Sequence, residues 1–458
     1  MKYRSEREMQ ASTLLRDGDY SSTRDMIERI GRMIPNNKIF AELDKERQIR
    51  YTTAKELRDE VMNLGEGLVA AGLKDAHIAI VADNSVRYIM CDIAISSGVG
   101  VVVPVDKDAC VESLVTYFTK ADITAVICGA NCLEKVRKAQ ERCPLLKQIF
   151  TIDTKVDGFV SYDELVAGGK EVGESGEYHT MTLDVDKPAK ILFTSGTTGA
   201  NKGVVLTNAN LAANFINCMD TIRAVEGNTS MSILPMHHAT EINTHIMTRV
   251  ASGRLTYIND SIRNMMNNIK VFKPDMITVV PMVANMFYKN IWAAAEKNGK
   301  AEKLRKGIRI SNFLRKFGID KTRKMFAEIY APFGGNLYAI VCGGSMLNPV
   351  VVKGMNDLGI HIENGYGITE CGPLVSINGN TLEDCLSVGK TCPGLEAKLA
   401  NVDEDGIGEL CFRGKSVAMG YYKDEEATKA AFDQDGFFNT GDSAYFGKKG
   451  DIYLIGRK

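Results

Sequence analysis

Four short runs rich in Val and Ile, at residues 78–81, 100–105, 123–128 and 148–152, alternate with segments at 86–96, 111–120 and 133–141 whose apolar residues recur at helical spacing. A strand that is apolar along its whole length must be covered on both faces. Strands of that kind alternating with amphipathic helices predict a parallel sheet with helices on either side. Upstream, the spacing predicts a helix over 24–33, a strand at 48–51, and a helix from Thr52 or Thr53 to about Ala71, where Gly72 stops it. Residues 1–45 are otherwise charged and weakly patterned, and 153–187 reads as a polar excursion containing Gly168 and Gly169. The alternation resumes at 189–193, 229–234, 254–258, 276–280 and 337–342.

Beyond about residue 380 the pattern changes to short β-type pieces at 396–399, 408–413, 437–439 and 452–455, separated by Asp/Gly turns. That predicts a small antiparallel barrel or sheet. The expected fold class is α/β: two α/β subdomains with mainly parallel sheets, 1–188 and 189–380, followed by a β-barrel subdomain, 381–458. A chain of 458 residues buries enough surface to be stable without disulfides or metal. Its eleven cysteines contain no Cys-x-x-Cys pair and are expected to be reduced thiols. Residues 1–16 hold no apolar leader core and 93–105 is too short to span a bilayer, so a cytoplasmic protein without a transmembrane segment is expected. Lys plus Arg (56) nearly cancels Asp plus Glu (57), which excludes a global field toward nucleic acid or anionic lipid and leaves only a local basic patch. The basic stretch 297–324 reads as a solvated helix face, with a phosphate or partner surface as the alternative.

The chemistry concentrates where the strand at 191–193 runs into Thr194-Ser195-Gly196-Thr197-Thr198-Gly199-Ala-Asn-Lys202-Gly203. Glycines let backbone N–H groups approach a ligand, hydroxyls add donors, and Lys202 adds a full positive charge, so the segment is a concave anion site. It is neither a Walker A loop, since Gly203 and Val204 follow the lysine, nor a Gly-x-Gly-x-x-Gly turn. Three further motifs follow in order: Gly343-Gly344-Ser345 at a strand end, Asn364-Gly365-Tyr366-Gly367-Ile-Thr369-Glu370, and Thr440-Gly441-Asp442 with Gly456-Arg457 beyond. In the second, Glu370 is a hard oxygen ligand suited to Mg²⁺, Thr369 can donate to a phosphate, Tyr366 offers an aromatic face, and Asn364 carries paired donor and acceptor groups.

Together these motifs resemble the adenylate-forming superfamily of acyl-CoA synthetases, luciferases and peptide-synthetase adenylation domains, over roughly residues 45–458, with the long-chain fatty acid–CoA ligases as the nearest style. The resemblance implies that residues 194–199 and Lys202 hold ATP phosphates, that Thr369 and Glu370–Mg²⁺ clamp the α-phosphate, and that Gly343, Gly344, Ser345, Asn364, Gly365, Tyr366 and Gly367 border the nucleotide. It implies Asp442 and Arg457 at the ribose, and a carboxylic-acid pocket formed by His237, His238, Pro281, Met282, Gly343 and Gly365, with His238 flanking the attacking carboxylate. His77, His179, His245 and His361 have no companions in sequence. The implied reaction is acyl-adenylate formation with release of pyrophosphate, then thioester formation with CoA; the acid, ATP and CoA are the expected partners, with no nucleic acid. An aryl or other acid–AMP ligase and a catalytically impaired nucleotide-binding module are the alternatives. In the family a smaller C-terminal domain bearing a catalytic lysine follows the Gly-Arg motif, and this chain is expected to lack it and to be weakly active.

Overall fold

The structure, a computed structural model, describes residues 20–194, the backbone of Ser195, and residues 201–222, 229–379, 381 and 384–457. The reading of residues 1–16 lies outside the described residues, as do Gly196, Thr197, Thr198, Gly199 and the Ser195 side chain.

Two large sheets carry the expected alternation. In the eight-stranded sheet the order is Gly420–Tyr421, Asn201–Thr207, Pro188–Ser195, Gly100–Pro104, Ala76–Val81, Ala125–Cys128, Gln148–Thr151 and Val160–Ser161. Its Val/Ile-rich central strands pair in parallel, as strands buried on both faces should. The nine-stranded sheet runs Lys390–Thr391, Leu374–Asn378, His361–Gly367, Ala339–Cys342, Met276–Val279, Ser230–Ser232, Thr256–Ile258, Lys38–Leu43 and Ile49–Thr53. The third unit is antiparallel throughout: Leu395–Ala400, Gly408–Gly414, Phe438–Phe446 and Ile452–Arg457. The largest core lies between the two big sheets, where Phe40 and Ile39 of one meet the helices that also cover Ile78 and Ile80 of the other. No helix among the described residues is long and apolar enough to cross a membrane.

Sheet membership crosses residue 188 in both directions. Lys38–Leu43 and Ile49–Thr53 form a hairpin in the nine-stranded sheet, and Pro188–Ser195 belongs to the eight-stranded one. Apolar periodicity reports that a strand is buried, and says nothing of its neighbours. The strand at 38–43 lies within residues 1–45, which the sequence reading left weakly patterned.

The supposed polar excursion at 153–187 holds a helix, Tyr162–Val172, started by a capping box in which Ser161 and Glu164 satisfy each other's backbone N–H groups. Its glycines hid it. A Cβ on Gly169 would lie 1.8 Å from the Asn63 carbonyl oxygen, and one on Gly67 of the facing helix Ala54–Ala70 would lie 2.0 Å from that of Leu165. The two helices therefore meet backbone to backbone. Gly168, beside it, has nothing within 4 Å of its Cβ position. Gly169→Ala is expected to destabilise by about 3 kcal/mol or more, since the obstruction is backbone and cannot rotate away. Gly168→Ala is expected to be neutral or stabilising by up to about 1 kcal/mol through helix propensity. Denaturant unfolding of both variants checks the pair, and equal effects would contradict it.

Candidate active site

Strands Met276–Val279, Ala339–Cys342 and His361–Gly367 run parallel, so their carboxyl ends open on one edge of the nine-stranded sheet. Open α/β sheets bind ligands at that edge. Pro281 starts the helix Pro281–Lys297 there with a fixed φ suited to the first helical position. Gly343 and Gly365 abut, a Cβ on the first lying 2.9 Å from the carbonyl oxygen of the second, so these strand ends approach backbone to backbone. Gly344 follows with φ +96°, a left-handed turn that favours glycine.

Strand Pro188–Ser195 returns as Asn201–Thr207 in an antiparallel hairpin, with Thr194 opposite Lys202. The strands on either side of the Gly/Ser/Thr segment therefore pair with each other. On its outer side Gly420–Tyr421 adds a two-residue strand, pairing Tyr421 with Val204. The Lys202 ammonium lies 4.7 Å from the centre of the Tyr421 ring, whose hydroxyl donates to Glu370 Oε1 at 2.9 Å. The Ala418 N–H donates to the Glu370 carbonyl oxygen at 2.8 Å, strapping the 369–371 turn to the same segment. Three stretches, around residues 202, 370 and 421, thus link a cation, an aromatic ring and a carboxylate through successive contacts. Tyr421 was missed in the sequence reading, because a two-residue edge strand leaves no periodicity. The only available signal was its place in a Gly-Tyr-Tyr turn.

A second cluster gathers Tyr366, Asp442 and Arg457. The Tyr366 hydroxyl donates to Asp442 Oδ2 at 2.5 Å, Arg457 Nε donates to Oδ1 at 3.0 Å, and the Asp442 N–H is held by Thr440 Oγ1. Burial, with the Asp442 charge alongside, pushes the Tyr366 phenol well above its ordinary range, so it stays a donor. A carboxylate accepts about four hydrogen bonds, so two positions on Asp442 remain for a ligand. Asn364 is buried and donates one amide N–H to the Ser387 carbonyl at 3.1 Å, leaving only part of the recognition capacity read from sequence.

His237 and His238 stand at the turn after Ser230–Ser232, rings 4.1 Å apart. Asn84, beyond the carboxyl end of Ala76–Val81 in the other sheet, fixes this turn. It donates to the Leu234 carbonyl and accepts from the Met236 N–H. Desolvation, with His238 alongside, pulls His237 down to about 4 against the opposing pull of Asp106 and Asp108. Unfolded chain binds a proton at about 6.5, so between that value and about 4 only the unfolded state is protonated. Stability is therefore full above pH 6.5 and declines as pH falls through this window. An NMR titration is expected to place the His237 midpoint near pH 4. His245, without a companion in sequence, is buried with Nδ1 3.0 Å from Glu241 Oε1, one turn away in a π-helical stretch, Thr240–Ile246. His77, also read as unaccompanied, has Nδ1 2.6 Å from the Ala121 carbonyl oxygen and packs edge-on to Tyr422.

The sequence pattern that defines AMP-binding enzymes matches residues 34–422 of the chain. This chain belongs to the AMP-binding enzyme family. Among curated members it is 27% identical over 456 residues to the probable acyl-activating enzyme 16, chloroplastic, of Arabidopsis thaliana, covering 86% of this chain and 63% of that protein. It is 27% identical over 445 residues to long-chain-fatty-acid–CoA ligase 6 of Homo sapiens, covering 89% and 63%. The chain thus spans under two thirds of the length of these relatives. Its fold is similar to that of a long-chain-fatty-acid-CoA ligase (FadD1) from Archaeoglobus fulgidus, with TM-score 0.78 at 19% identity over 96% of this chain and 84% of the other. It is similar also to the N-terminal domain of FACL13 from Mycobacterium tuberculosis, with TM-score 0.74 at 18% identity over 95% and 99%. Against the AMP-binding family's α/β architecture, the two mainly parallel sheets and the small antiparallel unit agree with the fold class read from sequence.

Among the described residues no group of three or more His, Cys, Asp or Glu could hold a metal by itself. Glu370 is half-buried and carries one hydrogen bond on Oε1. A lone carboxylate fits Mg²⁺, which keeps most of its waters and is commonly held by one or two carboxylates together with substrate phosphates. The eleven cysteines are free thiols, nine of them buried.

Proposed function

We propose that this AMP-binding protein activates a carboxylic acid, with a fatty acid as the substrate class, by joining it to AMP with release of pyrophosphate, and passes the acyl group to CoA. The observation that carries the reading is the chain of contacts Lys202–Tyr421–Glu370 beside the Gly/Ser/Thr segment. Attack of one anion on another needs fixed positive charge and oriented donors rather than a strong base. Thr194, the Gly/Ser/Thr segment after it and Lys202 hold the β- and γ-phosphate oxygens. Lys202 stands by the Tyr421 ring, whose hydroxyl meets Glu370. Thr369 donates to the α-phosphate. Glu370 is the carboxylate assigned to Mg²⁺, whose positive charge would offset that of the phosphate oxygens when bound.

The nucleoside is held on the other side. Asp442, aligned by Tyr366 and Arg457, accepts the ribose hydroxyls, and the Tyr366 face with Asn364 borders the base. The acid is seated at the strand ends beside Gly343 and Gly365, and His238 orients its carboxylate. His237 stays neutral there at physiological pH, so the pair does not add a second cation. Met282, Met286 and Met346 stand exposed along this edge, which suits an alkyl chain better than a polar acid. Pyrophosphate release measured with ATP, Mg²⁺ and acids of increasing chain length tests the reading. Release that rises with alkyl length supports it, and release with none of the acids overturns it in favour of a nucleotide-binding module.

A further inference from the structure

The helix Val111–Lys120 packs Leu114 and Phe118 into a core shared with Ile191 and Val205, so it is joined to both strands that flank the Gly/Ser/Thr segment. Its last turn grips the first residue of the second of them. Lys120 Nζ donates to the Asn201 carbonyl at 3.0 Å, and Asn201 Nδ2 donates to the Tyr117 hydroxyl at 3.3 Å. The Tyr117 ring packs against Phe193, with 4.7 Å between centres. Phe193 and Asn201 stand one position before Thr194 and Lys202. Both residues assigned to the phosphates thus have their preceding neighbour held by one helix.

Asp122, in the turn after that helix, holds the other flank. Its Oδ2 accepts from the Tyr422 hydroxyl at 2.7 Å and pairs with the Lys423 ammonium at 2.5 Å. The Tyr422 N–H donates to the Gly203 carbonyl at 2.8 Å, and the Met419 N–H to that of Val205 at 3.0 Å. The segment carrying Tyr421 is therefore stitched to the strand carrying Lys202. A Cβ on Gly203 would lie 2.9 Å from Ile191 Cγ2 and 3.6 Å from Tyr422 Cβ, so glycine lets the segments close up. Asp122 and Lys423 both stand in the left-handed region, at φ +50° and +53°. Residues other than glycine are uncommon there, and such strain persists where surrounding contacts fix it. An exposed ion pair adds little stability by itself, so what the pair positions accounts for it better.

We propose that Asp122 is a positioning residue for the reaction assigned above. Through Tyr422 and Lys423 it sets the segment whose Tyr421 meets both Lys202 and Glu370, and with Lys120 it fixes where Lys202 stands. The proposal rests on that assignment. It concerns the phosphate side alone, because His237, His238 and Pro281 belong to the edge of the nine-stranded sheet. A residue that only supported the fold would not separate the kinetics of ATP from those of the acid.

The full 458-residue chain, assayed for pyrophosphate release with ATP, Mg²⁺ and a fatty acid, tests this. Asp122→Gly removes the carboxylate and leaves a residue that adopts φ +50° freely. It is expected to lower kcat/KM for ATP about tenfold, as loss of a hydrogen bond to a charged group does, with the KM of the acid unchanged. Asp122→Asn keeps an acceptor for the Tyr422 hydroxyl and tolerates the same backbone, and is expected to return to within about threefold of the parent. Without nucleotide, hydrogen exchange at the Tyr422 N–H is expected to be about tenfold faster in Asp122→Gly. Matching thermal unfolding will show that both variants fold. Parental exchange at Tyr422, or KM values for ATP and acid that rise together, overturns the proposal. An active parent whose Asp122→Gly variant keeps its kcat/KM for ATP overturns this role alone. A parent that releases no pyrophosphate with any acid overturns the assigned reaction, and the role with it.

Discussion

Glu370→Gln is expected to lower the rate of pyrophosphate release by about 10²–10³, the usual loss when one preorganised group facing the transition state is removed. The substitution keeps the shape and the acceptor for the Tyr421 hydroxyl, so the 369–371 turn, tied to Ala418 through its backbone, stays in place. What is lost is the charge proposed to hold a divalent cation against the phosphates. Tyr421→Phe is expected to cost less, about tenfold, because the ring beside Lys202 remains and only the hydroxyl goes. Thermal unfolding of both variants should match the parent. Near-parental pyrophosphate release by Glu370→Gln, measured at saturating ATP, would remove Glu370 from the mechanism.

Lys190→Met is expected to destabilise the fold by about 3–5 kcal/mol, as removal of one partner from a buried ion pair does. Lys190 lies on the hairpin strand Pro188–Ser195, almost fully buried, and its ammonium donates to Asp92 Oδ1 at 2.7 Å and to Asn243 Oδ1 at 2.9 Å. Burial pushes the Asp92 carboxyl up, and the Lys190 ammonium opposes that. Without the ammonium, Asp92 keeps its desolvation and loses its partner. The double variant Lys190→Met/Asp92→Leu is expected to recover most of the loss, because an apolar pair of similar volume needs no compensating charge. Denaturant midpoints of the three proteins decide this. A double variant no more stable than Lys190→Met alone would show that packing, and not the uncompensated carboxylate, sets the cost. The network also fixes geometry. It ties the hairpin strand, through Asn243, to the π-helical stretch that follows His237 and His238, so the phosphate and acid sides of the site share one buried anchor.

Much of this organisation is written locally. The strands Ala76–Val81 and Ala125–Cys128 are buried along most of their length, as their Val/Ile runs require, and Thr53 with Glu56 starts the helix Ala54–Ala70 where the capping signal stands. Tyr366, Asp442 and Arg457, named separately from three motifs, meet within hydrogen-bonding distance. Other features had local signals that ran against one another, as at the helix whose Ser161/Glu164 capping box is followed by Gly168 and Gly169. The helix Tyr162–Val172 was hidden because its glycines serve a neighbouring backbone rather than its own propensity.

The sequence by itself determined which segments are buried strands, where helices start, and which residue types can bind phosphate, because those properties depend on neighbours a few positions away. Tertiary structure alone decided that Lys38–Leu43 joins the distant sheet, that Asn84 fixes the His237 turn, and that Tyr421 meets both Lys202 and Glu370. Each of those is a pairing across tens to hundreds of residues. Side-chain periodicity records that a face is covered and carries no label for the chain segment that covers it.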